Sequence, residues 1–215
     1  DIEKVNSPVY SHLLRWQNTG RIKGFFSAEL QAAIGSYDPL EQLRENMPPF
    51  FGELDAVARA QYIEMTVFMS NHLLCSQGDR VAMAHSVEAR MPFLDPRLME
   101  FMGKVPSRWK VLGLNEKHIL KKACRQILPP SIVERNKHPY RAPIKHSLLG
   151  RGFNGHTKEL LSKQYIEQAG LFDAARVARL LEKMEKMDQP GEIDSMALAG
   201  ILSAQIIYNR FIDSY

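Results

Sequence analysis

Apolar positions recur at three- and four-residue intervals along much of the chain, the spacing that lines one face of a helix. From about Leu54 to Gln77 the recurring positions are Ala58, Tyr62, Met65, Met69, His72 and Leu73, and Gly78 then offers a stop. Asp95-Pro96 announces a second helix, because aspartate can accept from the free N–H groups of a first turn and proline fits the first helical position. Asp38-Pro39 repeats the device ahead of a short segment that ends near Asn46, before Pro48-Pro49. Lys117 to Leu128 reads as a further helix closed by Pro129-Pro130, and Asp173 caps a stretch running through Lys186. Asp194 or Ser195 caps the last helix, whose face runs through Leu198, Ile201, Leu202, Gln205 and Ile206. No series of alternating strands and no βαβ rhythm emerges. The expectation is a single, mainly α region over residues 1–215, with irregular loops at Met91–Leu94, Val105–Asn115 and Asn136–Gly155. A loop of about twenty residues is uncommon unless it is functional or mobile.

Composition narrows the class without choosing a function. The 215 residues are 45% hydrophobic and 24% charged, ordinary for a folded domain and far from disorder. No apolar run approaches the roughly 20 residues that span a bilayer, and the opening residues carry no basic-then-apolar signal pattern. The chain begins at Asp1 without a methionine, which leads us to expect an excised piece of a longer protein. Cys75 and Cys124 lie far apart with no CxxC spacing, too few for a disulfide framework or a thiolate metal site, so a reducing, cytoplasmic setting and no metal centre are expected. The net charge of +4 can steer anionic ligands but does not point to nucleic acid. Its distribution is more telling. Arg135, Lys137, His138, Arg141, Lys145, His146 and Arg151 share one stretch with no acidic residue, which is either a solvated face or a phosphate site, nucleotide ahead of polymer.

Two constellations carry candidate chemistry. The first is Gly78-Asp79-Arg80 followed by the run from Ser86 to Asp95, SVEARMPFLD. Just past a helix end, Asp79 and Arg80 can fix a backbone turn by charge-assisted hydrogen bonds. Glu88 and Arg90 flank one alanine; on a helix they point apart and need not pair. On physical grounds alone, Arg80, Glu88, Arg90 and Asp95 form a buried polar network that sets helix angles, and this reading comes ahead of a catalytic one. The second constellation runs from Arg135 to Pro143, where prolines stiffen the loop. A lysine held there can neutralise charge developing on a phosphoryl group, or be a surface lysine beside a solvent-facing arginine.

Taken in order, the segments MAHSVEARMPFLDPRLMEF, VPSRWK, EKHILKKAC, LPPSIVERNKHPYRAP and DSMALAGILSAQIIYNRF resemble the carboxy-terminal part of the glutamine-dependent asparagine synthetase family. The resemblance runs from about Ser7 to Phe211 and is densest from Asp79 to Pro143. It implies that this helical region is the carboxy-terminal part of an adenine-nucleotide α-hydrolase-like (PP-loop ATPase) α/β domain whose sheet-forming half is largely absent. It also implies an enzyme that adenylates a carboxylate, the aspartate side chain, with ATP and Mg2+, and lets ammonia from glutamine expel AMP. Lys137 matches the family lysine that contacts the nucleotide phosphates, and Arg135 stands beside it as a second cofactor-binding residue. Glu88 matches the glutamate that, in β-lactam-forming relatives, positions and deprotonates the attacking nitrogen. Asp79, Arg80 and Arg90 match recurrent positions that support the site. The resemblance further implies that Lys137 and Glu88 face a common cleft.

The family's Ser-Gly-Gly-x-Asp-Ser loop, its later Ser-Asp-Glu segment and the glutaminase's amino-terminal cysteine do not occur in this sequence. The expected partners are therefore a glutaminase domain and an ATP-binding half of the same parent, with small-molecule substrates, no nucleic acid and no membrane. Alone, this region is expected to be inactive and to bind no cofactor tightly, because one lysine cannot hold ATP and magnesium without backbone N–H groups that cradle phosphates. Other readings remain open: a relative amidating a different carboxylate, a non-catalytic helical binding or structural module, and a helical nucleic-acid binder using Arg135 to Arg151.

Overall fold

A computed structural model describes residues 7–137, 143–150 and 155–213. Of the basic stretch, His138, Arg141 and Arg151 lie outside the described residues.

Helix α1 (Tyr10–Gly20) leads through a 3-10 turn (Arg21–Phe25) into α2 (Ala28–Ile34), whose first turn is capped by the Ser27 hydroxyl accepting from the Leu30 N–H at 3.0 Å. Helix α3 (Pro39–Glu45) starts as the Asp38-Pro39 pair predicts, with Asp38 Oδ1 accepting from the Leu40 N–H at 2.9 Å. Asp55 caps α4 (Ala56–Ile63), accepting from the Ala58 N–H at 2.8 Å; that bond first, and the Ser107 hydroxyl second, hold its carboxyl below the ordinary value. The same helix continues without a break as a wide π-helical segment, Glu64–Asp79, and then as α5 (Arg80–Ala84). Next come α6 (Pro96–Lys104) behind its Asp95 cap, α7 (Ser107–Lys110), the two-residue strands β1 (Val111–Leu112) and β2 (Asn115–Glu116), α8 (His118–Cys124) and α9 (Pro130–Val133). The chain closes with α10 (Ile144–Leu149), α11 (Gly155–Leu160), α12 (Lys163–Ala169), α13 (Ala174–Lys186) and α14 (Glu192–Tyr208).

Several expectations need correcting. Gly78 does not stop a helix: its φ is negative and the backbone runs on to Ala84. The expected apolar stripe fails beyond Ile63, leaving Met65, His72 and Leu73 exposed, because a π-helix turns with more residues than the 3.6 that defined the stripe. Polar side chains follow the wide geometry: Asn71 Nδ2 donates to the Thr66 carbonyl at 3.1 Å and the Ser76 hydroxyl to the Asn71 carbonyl at 3.3 Å, both five residues back. The expected loop at Val105–Asn115 holds α7 and half of an antiparallel hairpin, with Val111 opposite Glu116 and Leu112 opposite Asn115. Gly113, at φ +59, makes that two-residue turn possible. Helix α8 is shorter than the expected Lys117–Leu128, and α14 begins at Glu192 rather than behind Asp194 or Ser195. Within the expected Asn136–Gly155 loop, Pro143 leads into α10.

The contacts fall into two units. One comprises Asp1–His12 and Met47–Pro139, the other Leu13–Asn46 and Tyr140–Tyr215. The second unit holds the large apolar core. Val177, Leu180 and Met184 of α13 meet Leu198, Ile201 and Leu202 of α14, with Leu160, Ile166 and Phe172 closing around them. Its entry strap is tied in by the Ser27 hydroxyl donating to the Gly170 carbonyl at 2.7 Å and by the Asp173 N–H donating to the Phe25 carbonyl at 2.9 Å. Gln205 lies fully buried on the apolar face of α14, and among the described residues neither end of its amide finds a partner. Such a group costs about 1–3 kcal/mol. At the carboxyl end, the Tyr165 hydroxyl donates to Asp213 Oδ2 at 3.1 Å, Gln168 Nε2 to Asp213 Oδ1 at 2.9 Å, and Asn209 Nδ2 to the Tyr165 oxygen at 2.7 Å.

The first unit is differently built. Its buried side chains among the described residues are Val9, His12, Phe51, Ile63 and Val133, while Val81, Met83, Val87, Phe93, Phe101 and Ile127 are each more than half exposed.

Candidate functional site

Asp79, Arg80, Glu88, Arg90, Arg135 and Lys137, the six site residues that the resemblance assigns, belong to the first unit, and all are exposed. Asp79 and Arg80 sit inside the long helix, at the joint between its wide segment and α5, rather than past its end. Among the described residues their side chains make no hydrogen bond or ion pair, so they fix no turn here.

The turn is made by the backbone instead. After α5, the Val87 N–H reaches back to the Ala82 carbonyl at 2.9 Å and the Ser86 N–H to the Met83 carbonyl at 3.0 Å, with Ser86 at φ +58. These are the paired bonds of a Schellman turn, with serine in the left-handed position that glycine usually takes. The chain therefore leaves the helix abruptly, and Val87–Met91 has no regular structure. In such irregular chain, positions two apart can share a side, as in a strand. Glu88 and Arg90 accordingly pair, with Arg90 Nη2 donating to Glu88 Oε2 at 2.7 Å, against the expectation drawn from a helix. Their side chains are 75% and 78% exposed, so the pair contributes roughly 0–1 kcal/mol.

The alternative of a buried network through Arg80, Glu88, Arg90 and Asp95 is overturned by that exposure and by the partner Asp95 takes. Its carboxylate receives Arg97 through two bonds, at 3.0 and 2.7 Å, while also capping α6 through the Arg97 N–H at 2.9 Å. The Arg97 guanidinium, helped by that N–H, holds the Asp95 carboxyl below its ordinary value.

Lys137 emerges beyond α9 and faces a residue that sequence reasoning missed: Glu116, in β2, whose Oε2 lies 3.7 Å from Lys137 Nζ. The hairpin turn at Gly113 aims that carboxylate. One signal could have found it, for from Lys104 to Lys137 nine lysines and arginines are answered by only Glu116 and Glu134. The surrounding basic side chains are partly engaged. Lys122 lies over the Trp109 ring at 4.8 Å, Trp109 stacks on His118, Lys121 donates to Asn115 at 3.0 Å and Lys110 to Gln61 at 3.2 Å. The basic stretch read as one cluster is divided between the units. Arg135 and Lys137 belong to the first, whereas Lys145, which donates to the Met187 carbonyl, and His146 sit on α10 in the second.

Chemically, the first unit offers an accessible carboxylate at Glu88 and accessible cations at Arg135 and Lys137. Glu88 and Lys137 are ion-paired to Arg90 and Glu116 and not to each other. The cationic pair suits phosphate oxygens. Among the described residues no three carboxylate, imidazole or thiol groups gather that could hold a metal ion. No helix among the described residues is long and apolar enough to cross a membrane.

Residues 6–206 match the family model described as asparagine synthase. Asparagine synthetase (glutamine-hydrolyzing) 3 of Bacillus subtilis is 33% identical over 170 residues, which cover 78% of this chain and 26% of the relative. Asparagine synthetase (glutamine-hydrolyzing) 1 of the same organism is 28% identical over 132 residues, 60% of this chain and 21% of the relative. The amidase chry2 of Gibberella zeae is 32% identical over 123 residues, 54% of this chain and 18% of the relative. The chain thus spans about a quarter, or less, of the length of the curated relatives it matches. No solved structure gives a significant match.

Proposed function

The chain belongs to the asparagine synthase family, and from that premise we propose that it is the helical carboxy-terminal part of an ATP-dependent, glutamine-hydrolysing amidotransferase that converts a carboxylate, the aspartate side chain, to its amide. The observation that carries this reading is the match over residues 6–206, which takes in both SVEARMPFLD and the Arg135-x-Lys137 pair.

ATP supplies the activating group for the carboxylate. Lys137 and Arg135 bind phosphate oxygens and offset the negative charge that grows there as pyrophosphate departs. Glu88 accepts a proton from the attacking nitrogen, a task for an ionised carboxylate within hydrogen-bond reach. Arg90 positions that carboxylate through the 2.7 Å contact, and Asp79 and Arg80 support the site from the helix joint. Magnesium, the phosphate-cradling loop and the glutaminase belong to the remainder of the parent, so the region alone is inactive and holds no nucleotide tightly. The exposed apolar side chains of the first unit support this division, since Val81, Val87, Phe93 and Ile127, all more than half exposed, would each gain about 1–2 kcal/mol if fully covered. The half-buried free thiols Cys75 and Cys124 support a reducing, cytoplasmic setting.

In the full-length enzyme, Lys137→Ala and Glu88→Ala are each expected to lower ATP-dependent asparagine formation by roughly 100-fold or more, while glutamine hydrolysis persists. Normal synthetase turnover in both variants would sink these roles.

A further inference from the structure

In the second unit, α13 sets Arg176, Arg179 and Lys183 three and four residues apart on one face. Like charges at that spacing repel one another. At both ends of the row the repulsion is offset. Arg176 lies 3.4 Å from Asp173 Oδ2 and donates to the Gly24 carbonyl, and Lys183 Nζ lies 2.7 Å from Asp194 Oδ2. The middle guanidinium has no such arrangement: among the described residues Arg179 makes no hydrogen bond or ion pair. It borders a groove of about 310 Å³ between α13, the 3-10 turn and the start of α14. Phe25 and Leu180 give that groove an apolar floor, and Leu180 is fixed in the core at 4% exposure. Gly24 leaves the rim open, with the Arg176 guanidinium 4.0 Å from where its Cβ would be.

We propose that this groove binds a small molecule bearing an oxyanion, a carboxylate or a phosphate monoester, on a compact apolar body, with Arg179 as the anchor. A guanidinium presents two parallel N–H groups to such an anion, and the bound charge would relieve the row of cations on α13. The apolar floor adds what a bare ion cannot use. The volume sits at the lower end of small-molecule sites, which limits the ligand to metabolite size. Arg176 and Lys183, already held by Asp173 and Asp194, shape the groove rather than compete for the ligand. None of the six residues assigned to amide formation lines it, so the proposal stands apart from that reading.

Calorimetric titration of the protein with phenyl phosphate, benzoate and inorganic phosphate tests it. Phenyl phosphate or benzoate is expected to bind roughly tenfold more tightly than inorganic phosphate, and the stronger of the two identifies the preferred anion. Arg179→Gln should weaken that binding by roughly tenfold or more without lowering the thermal midpoint, and Lys158→Gln, on α11, should leave it intact. Equal affinity for inorganic phosphate and the aromatic anions, retention of affinity in Arg179→Gln, an equal loss in Lys158→Gln, or no binding of any of the three would overturn the proposal.

Discussion

Ser86 shows how much a single backbone angle decides in this protein. At φ +58 it holds the left-handed position of the turn that ends the long helix, a conformation costing a residue with a Cβ roughly 1–2 kcal/mol relative to glycine. Ser86→Gly is therefore expected to raise stability by about 1 kcal/mol in urea unfolding; no gain would mean that the serine side chain compensates the strain. The turn also explains the pairing of Glu88 with Arg90, because the chain is already out of the helix two residues earlier. At this scale the sequence was readable wherever chemistry is local. Asp38, Asp95 and Asp173 cap helices as read, since each carboxylate reaches an N–H only two or three residues on. For Lys137 the sequence offered Glu116 only as one of two carboxylates in a basic stretch; the contact itself depends on a hairpin that brings together residues twenty-one positions apart.

Among the elements, the long helix departs furthest from expectation. Gly78 reads as a stop because glycine so often follows a helix in the left-handed conformation. Here it serves close approach: a Cβ at position 78 would lie 2.9 Å from the Leu73 carbonyl oxygen, five residues back, nearer than side chains tolerate. In a regular helix Gly→Ala gains up to about 1 kcal/mol. Gly78→Ala is expected to do the reverse and cost about 1–2 kcal/mol in the same unfolding assay, as overpacking does. A stabilised variant would show that the wide turn around Leu73 gives way to ordinary α geometry. Elements of four to seven residues, such as α7, α9 and α12, escaped the sequence reading for a simpler reason. Periodicity needs a window of eleven or more residues, and these helices end sooner.

Across the whole molecule, apolar side chains are used in two ways. In the second unit one large core gathers them, although Leu14, Ile207, Phe211 and Ile212 stay exposed; in the first, few are buried and many remain on the surface. Ile201→Ala is accordingly expected to cost about 2–5 kcal/mol, whereas Phe93→Ser, at a side chain 65% exposed, should change thermal stability by less than about 0.5 kcal/mol. Comparable losses would show that Phe93 is covered in solution. The mainly helical class was legible from spacing alone, but the division into two units was not, because helix faces announce that they are buried without naming what buries them. The hydrogen bonds that join Asp213 to Tyr165 and Gln168 carry a practical lesson for handling the protein. An expression boundary drawn before Asp213 would unfasten α12 from the end of the last helix, so any shortened version of the protein should keep that residue.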